Sequence, residues 1–351
     1  MSLFSSILND EAHRHPLLIV QSSLAQSGLP VLRSILTNNV GAKGKQIDRE
    51  NLLFCLLYPP SSLVDEKTTT SLNVYDWTDR VSGYNEADLQ TELLAIVTKA
   101  VESHSGPINI IVDSVDTLLE DIGSVSETYR SLSKLYAVAK VHSDIRIILH
   151  SQSPSPLLPL ITQTTFSPSL SHAIVHPPAL IAHLTTEFLL PPPPISPLPK
   201  FWSVFIPVSE RVHDTERIVF GPAGQGSGST LELVVELIVR EGAGRKRGVE
   251  RVLEGWSLAL GGPCALSDLE SIMDLTKKQK EHAQPTAPDP TQNLPFNLSL
   301  TSSQQESRAK VPLPYAHEGK PMTSSAPAAI FYDPDSADDI DDDDPDEDLD
   351  I

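Results

Sequence analysis

By type and spacing, Asp113 and Asp116 are the residues of this chain best suited to chemistry. They close the apolar run PINIIVDSVD at 107–116. In nucleotide-hydrolysing enzymes with a parallel sheet, such a strand presents an acid to the magnesium of a bound triphosphate. The acid needs a companion loop, G-x-x-x-x-G-K-[ST], whose backbone amides, lysine and hydroxyl hold the phosphates and the metal. At the equivalent place, after the first apolar run, the chain reads VQSSLAQSGLPVLRS (20–34). Gly28 is the single glycine there, and Leu29 and Pro30 follow it where Lys and Ser or Thr belong. Leu29 cannot neutralise phosphate, and Pro30 has no N–H to donate. The strand–loop–helix context is expected and the phosphate chemistry is not. Asp113 then reads as a polar strand end or a cap.

A second glycine-rich stretch, FGPAGQGSGST (220–230), has Gly221 and Gly226 at the right spacing but Ser227 at the lysine position. It is expected between two strands, whereas a phosphate loop opens a helix. A hairpin connection is the expectation. The 11 histidines lack carboxylate or thiol companions at ligand spacing, and Cys55 and Cys264 have no partner at metal spacing. No catalytic, cofactor-binding or metal-ligating set is therefore expected. The basic stretch REGAGRKRGVER places Arg245, Lys246 and Arg247, flanked by Arg240 and Arg251, at and beside a hairpin tip. Positive charge there suits nucleic-acid phosphates; a solvated turn is the other reading.

The elements that would position these residues follow from apolar patterning. Residues 15–23, 50–60, 71–79, 107–114 and 144–151 read as strands, and 28–40, 86–103 and 126–143 as helices. Strands apolar on both faces, alternating with helices, signal a parallel sheet covered on both sides. Residues 151–200 hold 12 of the 30 prolines. They read as a proline-rich insertion, a decorated loop within one domain, with a strand and a short helix inside 171–190. The segments 199–209 and 216–222 alternate tightly and read as strands. Residues 230–260 read as an antiparallel hairpin, so the sheet is mixed. From about 275 onward the chain is polar and proline-rich, and no packed core is expected.

Net charge is −20, but the last 19 residues carry 12 acids and no base, so −8 remains without them. The division expected is a domain over 1–272, an extended strap over 273–332 and an acidic tail over 333–351. The N-terminal residues lack a secretory pattern, and with two separate thiols the expected location is cytoplasm and nucleus.

The strap carries FNLSLT (296–301), then about ten residues, then VPLPY (311–315). The chain closes on FYDPDS (331–336) and the acidic DPDEDLDI (344–351). Phe296, Leu298, Leu313 and Tyr315 are apolar anchors on an otherwise polar segment, suited to ordering on a partner or on the chain's own domain. Together these motifs resemble the Elongator complex protein five family. The resemblance implies a RecA-like α/β fold, a central mixed and mostly parallel sheet flanked by helices, that has lost its nucleotide motifs. It implies assembly with Elongator proteins four and six into a heterohexameric ring. It further implies that the ring joins the catalytic and scaffold subunits, binds tRNA and supports carbon-five modification of the wobble uridine, U34. The alternatives are an active RecA-type ATPase, disfavoured by Leu29–Pro30, and a chromatin- or histone-binding protein acting through the acidic tail.

Overall fold

The computed structural model describes residues 2–8, 16–41, 50–64, 72–80, 88–104, 106–142, 144–222, 224, 231–241 and 248–273, with 303, 306, 307 and 310 farther on. Two compact units divide the chain at Gln284 and Pro285. In the second, the Ser307 hydroxyl donates to the Ser303 carbonyl at 2.8 Å and the Lys310 amide to that of Glu306 at 3.1 Å, the bonds of a helical turn.

In the first unit, helix α1 (Leu3–Leu8) precedes strand β1 (Leu17–Ser23), helix α2 (Leu29–Gly41) and β2 (Glu50–Cys55). Then come α3 (Pro60–Leu63), β3 (Asn73–Asp76), α4 (Leu89–Ser103), β4 (Ile108–Val112), α5 (Val115–Ile122), α6 (Val125–Val141) and β5 (Ile145–Ser153). The last third contains α7 (Leu158–Ile161), β6 (Leu170–His176), α8 (Pro178–Glu187), α9 (Leu198–Ser209), α10 (Val212–Phe220), β7 (Glu232–Arg240), β8 (Val249–Ser257) and β9 (Gly262–Cys264). The nine strands form one sheet in the order β3-β2-β4-β5-β1-β6-β7-β8-β9. The first six in that order are mutually parallel, and β7, β8 and β9 continue antiparallel. The strand before the glycine turn thus lies in the middle of the sheet, with the acid-ended β4 two strands away. The arrangement is the expected α/β one, a mostly parallel mixed sheet flanked by helices.

Burial on both faces accounts for the strand composition. All five residues of β4, INIIV, are buried. Leu18, Val20, Leu53, Ile111 and Ile148 pack on one side against Phe4 and Leu8 of α1 and Leu32, Ile35 and Leu36 of α2. Leu17, Ile19, Phe54, Ile110 and Leu149 pack on the other against Leu93 and Val97 of α4 and Leu132 and Leu135 of α6. A third cluster joins Val234 of β7 to Leu180 and Leu184 of α8, and to Phe201 and Phe205 of α9.

Three features differ from the sequence expectations. Residues 115–122, not expected as an element, form a helix: the Ser114 hydroxyl accepts from the Thr117 amide, and Gly123 ends the helix at φ 73°, a left-handed conformation open to glycine. Residues 198–209 and 212–220 are helices, not strands. Phe201 and Phe205, four apart, fall on one buried helical face, and the intervening apolar residues imitate alternation. The stretch at 220–230 therefore follows a helix, and it still precedes a strand, β7. Finally, 151–200 holds more regular structure than the strand and short helix expected inside 171–190, which are present as β6 and α8. It contains the end of β5 and all of β6, which pairs directly with β1. Five of its prolines, Pro159, Pro177, Pro178, Pro197 and Pro199, lie at the caps and first turns of α7, α8 and α9, where the missing N–H is harmless. Among the described residues, no helix is long and apolar enough to cross a membrane.

Candidate functional site

The turn between β1 and α2 is narrow because it is bonded to itself. The Ser23 amide donates to the Gln26 carbonyl at 3.0 Å, and the Gln26 amide to the Ser23 carbonyl at 3.2 Å. At the start of α2 the Leu29 amide donates to the Ser27 hydroxyl at 3.2 Å. The Val31 and Leu32 amides both donate to the Gly28 carbonyl, at 3.0 and 3.1 Å. Pro30 has no N–H to offer, and the Leu29, Val31 and Leu32 amides at the start of α2 are engaged within the chain. Gly28 itself is needed for close packing: a Cβ there would stand 3.2 Å from Cγ1 of Val20 and 3.6 Å from the His150 ring.

Asp113, at the end of β4, is fully buried. Its carboxylate accepts from the amides of Leu56, Leu57 and Tyr58 at 2.7, 3.0 and 2.7 Å, fixing the chain as it leaves β2. Burial pushes its pKa up to about 6, against the pull of those amides. Asp116 accepts from the Gln152 amide at 2.7 Å and so ties α5 to β5. Both acids act as backbone clamps, which is the cap expected of Asp113.

Sequence patterning does not single out His150, which ties the Asp113 clamp to β1. Its Nδ1 donates to the Asp113 carbonyl at 2.6 Å, leaving Nε2 to accept from the Ser22 hydroxyl at 2.5 Å. Burial holds its pKa below the usual value, so the ring is neutral. Tyr58 lies over it with ring centres 6.1 Å apart and extends toward Ser27 of the turn. Side chains from β1, β2, β4 and β5 thus fill the space above the turn. The sequence carries no signal for this network: Ser22 and His150 stand 128 positions apart, and only the strand order makes them neighbours.

The remaining candidate residues divide into two groups. Arg245, Lys246 and Arg247 lie outside the described residues, as do Phe296, Leu298, Leu313 and Tyr315. The basic stretch is nevertheless the connection of an antiparallel hairpin, since Arg240 of β7 pairs with Val249 of β8. Its two flanking arginines are engaged within the fold. The Arg240 guanidinium donates to the carbonyls of Thr162 at 2.9 Å and Ser167 at 2.6 Å. The Arg251 Nε pairs with Glu236 at 3.1 Å, and its guanidinium lies over the Trp202 ring at 5.7 Å. Among the described residues no His, Cys, Asp and Glu cluster is arranged to hold a metal ion.

Comparison with known proteins adds the family. The model of the family described as Elongator subunit Iki1 matches residues 3–333. Elongator complex protein 5 from Mus musculus is 41% identical over 73 residues, 19% of this chain and 24% of that protein. The Homo sapiens protein of the same name is 41% identical over 70 residues, 18% of this chain and 23% of that protein. The chain thus spans about a quarter of the length of these curated relatives. Among solved structures, a KaiC-like protein from Pyrococcus horikoshii aligns with a TM-score of 0.40 at 10% identity, covering 71% of this chain and 88% of that one.

Proposed function

The chain belongs to the Elongator subunit Iki1 family, and from that premise we propose that it is a non-catalytic subunit of the Elongator complex, a RecA-like pseudo-ATPase. It assembles with Elongator proteins four and six into a hexameric ring. The ring joins the catalytic and scaffold subunits, binds tRNA and supports carbon-five modification of U34, in cytoplasm and nucleus. The observation that carries this reading is the β1–α2 turn. Its Ser23, Gln26, Leu29, Val31 and Leu32 amides are bonded within the chain, and it has leucine and proline where a phosphate loop needs lysine and hydroxyl. Those donors do not fit a triphosphate, and the acid that would meet its magnesium accepts three amides instead. No hydrolytic step is derived from such a site; the sheet serves as a body on which neighbours pack.

Co-expression with proteins four and six, followed by native mass measurement, tests the assembly. A hexamer containing this chain is the expected result, and its absence would refute the ring. Calorimetric titration of the purified chain with magnesium ATP tests the other half. No saturable heat is expected, whereas a clear ATP affinity would favour the active ATPase.

A further inference from the structure

A second site lies on the sheet face opposite α2. From β1 the chain crosses toward β2, while from β6 it continues toward β7, so the connections diverge on either side of the β1–β6 pair. In open α/β sheets, ligands settle at such a divergence, outside the carboxyl ends of the strands. A cleft of about 190 Å³ occupies that place. Gln21 of β1, Ser153 of β5 and His176 of β6 reach it from three carboxyl ends, and Ser209 and Glu210 close it where α9 ends.

Its chemistry is specific. Glu236 is 3% exposed yet lines the cleft, with Arg251 on one carboxylate oxygen and His176 Nε2 donating to the other at 2.9 Å. The Gln21 amide and the Ser153 hydroxyl add polar groups at its edge. Ile174 of β6 faces Ile206 and Val212, which supply apolar walls. The single arginine is balanced by Glu236, and Glu210 adds a negative charge at the rim, so the lining does not suit phosphate. The volume falls below the roughly 300 Å³ at which drug-sized pockets begin, a size for one heterocycle. Apolar walls with mixed donors and acceptors at the edge are how a nucleobase outside a helical stack is read.

We propose that this cleft binds a single nucleobase, either from a free nucleoside or from an unpaired position of RNA. The inference stands apart from ring assembly, because it uses the opposite sheet face and needs no neighbour.

Saturation-transfer NMR on the purified full chain tests it, with uridine, adenosine and a single-stranded oligouridylate as probes. Saturable signal on the base protons is expected. Ser209→Trp should abolish it by filling the cleft, and Gln21→Leu should weaken it about tenfold by removing one hydrogen bond. Unfolding midpoints show that both variants fold. Tighter binding of the oligonucleotide than of uridine assigns the base to RNA, and equal or weaker binding assigns it to a free nucleoside. Absence of saturable signal from every probe overturns the proposal. So does a signal that either substitution leaves unchanged in a folded chain.

Discussion

Asp113 shows how one residue type supports two opposite readings. An acid ending a buried strand is legible as a metal ligand or as a cap, and the three amides it accepts decide for the cap. The identity of those donors is not legible, because backbone amides leave no mark in composition. Replacing Asp113 by Ala should destabilise the chain by roughly 1–3 kcal/mol, since the Leu56, Leu57 and Tyr58 amides lose their shared acceptor; urea denaturation measures this. The pH dependence has a definite sign. The folded value, about 6, lies above the ordinary value of 3.8, so the folded state holds the extra proton between the two. The contribution of this group therefore favours the fold below about pH 4 and is lost as pH rises through about 6, by up to about 3 kcal/mol. Asp113→Asn should lack that slope. Equal pH profiles for the two proteins would contradict the assignment.

At the scale of elements, continuous apolar runs make the parallel strands readable, because burial on two faces leaves no polar position to blur them. Residues 199–209 read wrongly as a strand because apolar residues crowd both sides of that helix, and 216–222 because Ile218, Val219 and Phe220 stand consecutively at the end of a helix whose first turns are polar. The order of strands is beyond patterning, since it depends on which crossovers pass over which neighbours. Helix α1 illustrates a contact of this non-local kind. The Glu254 carboxylate of β8 accepts from the amides of Leu3 and Phe4 at 2.8 and 3.1 Å and from the Ser2 hydroxyl at 2.5 Å. An acid at these amides satisfies donors that a short helix otherwise leaves bare. Glu254→Ala should cost about 1–2 kcal/mol. Hydrogen exchange should show α1 amides losing protection while β7 and β8 keep theirs. Unchanged exchange at Leu3 and Phe4 would show that the carboxylate does not hold the helix.

For the whole molecule, the family and the fold agree with the sequence reading, while assembly and RNA binding remain the proposal. Two predictions belong here. Replacing Arg245, Lys246 and Arg247 together by Ala should weaken tRNA binding by the assembled ring. It should also reduce the slope of log affinity against log salt by up to about 2–3, near one for each phosphate no longer neutralised. Filter binding across a salt series reads both, and identical slopes would remove these residues from the RNA surface. Phe296→Ala combined with Tyr315→Ala should reduce co-purification with the other ring subunits, because aromatic burial dominates the docking of extended segments. Undiminished recovery would mean the strap contributes nothing to assembly. The two ends of the sheet carry a further consequence. β3 has four residues, so that rim is short, whereas β9 pairs only with Gly255–Ser257 and leaves Val249–Glu254 of β8 with no strand on its outer side among the described residues. Sheet-to-sheet polymerisation, the hazard of any exposed strand, is blunted by shortness at the first margin, and at the second by the charges of Glu250 and Arg251 on the edge strand.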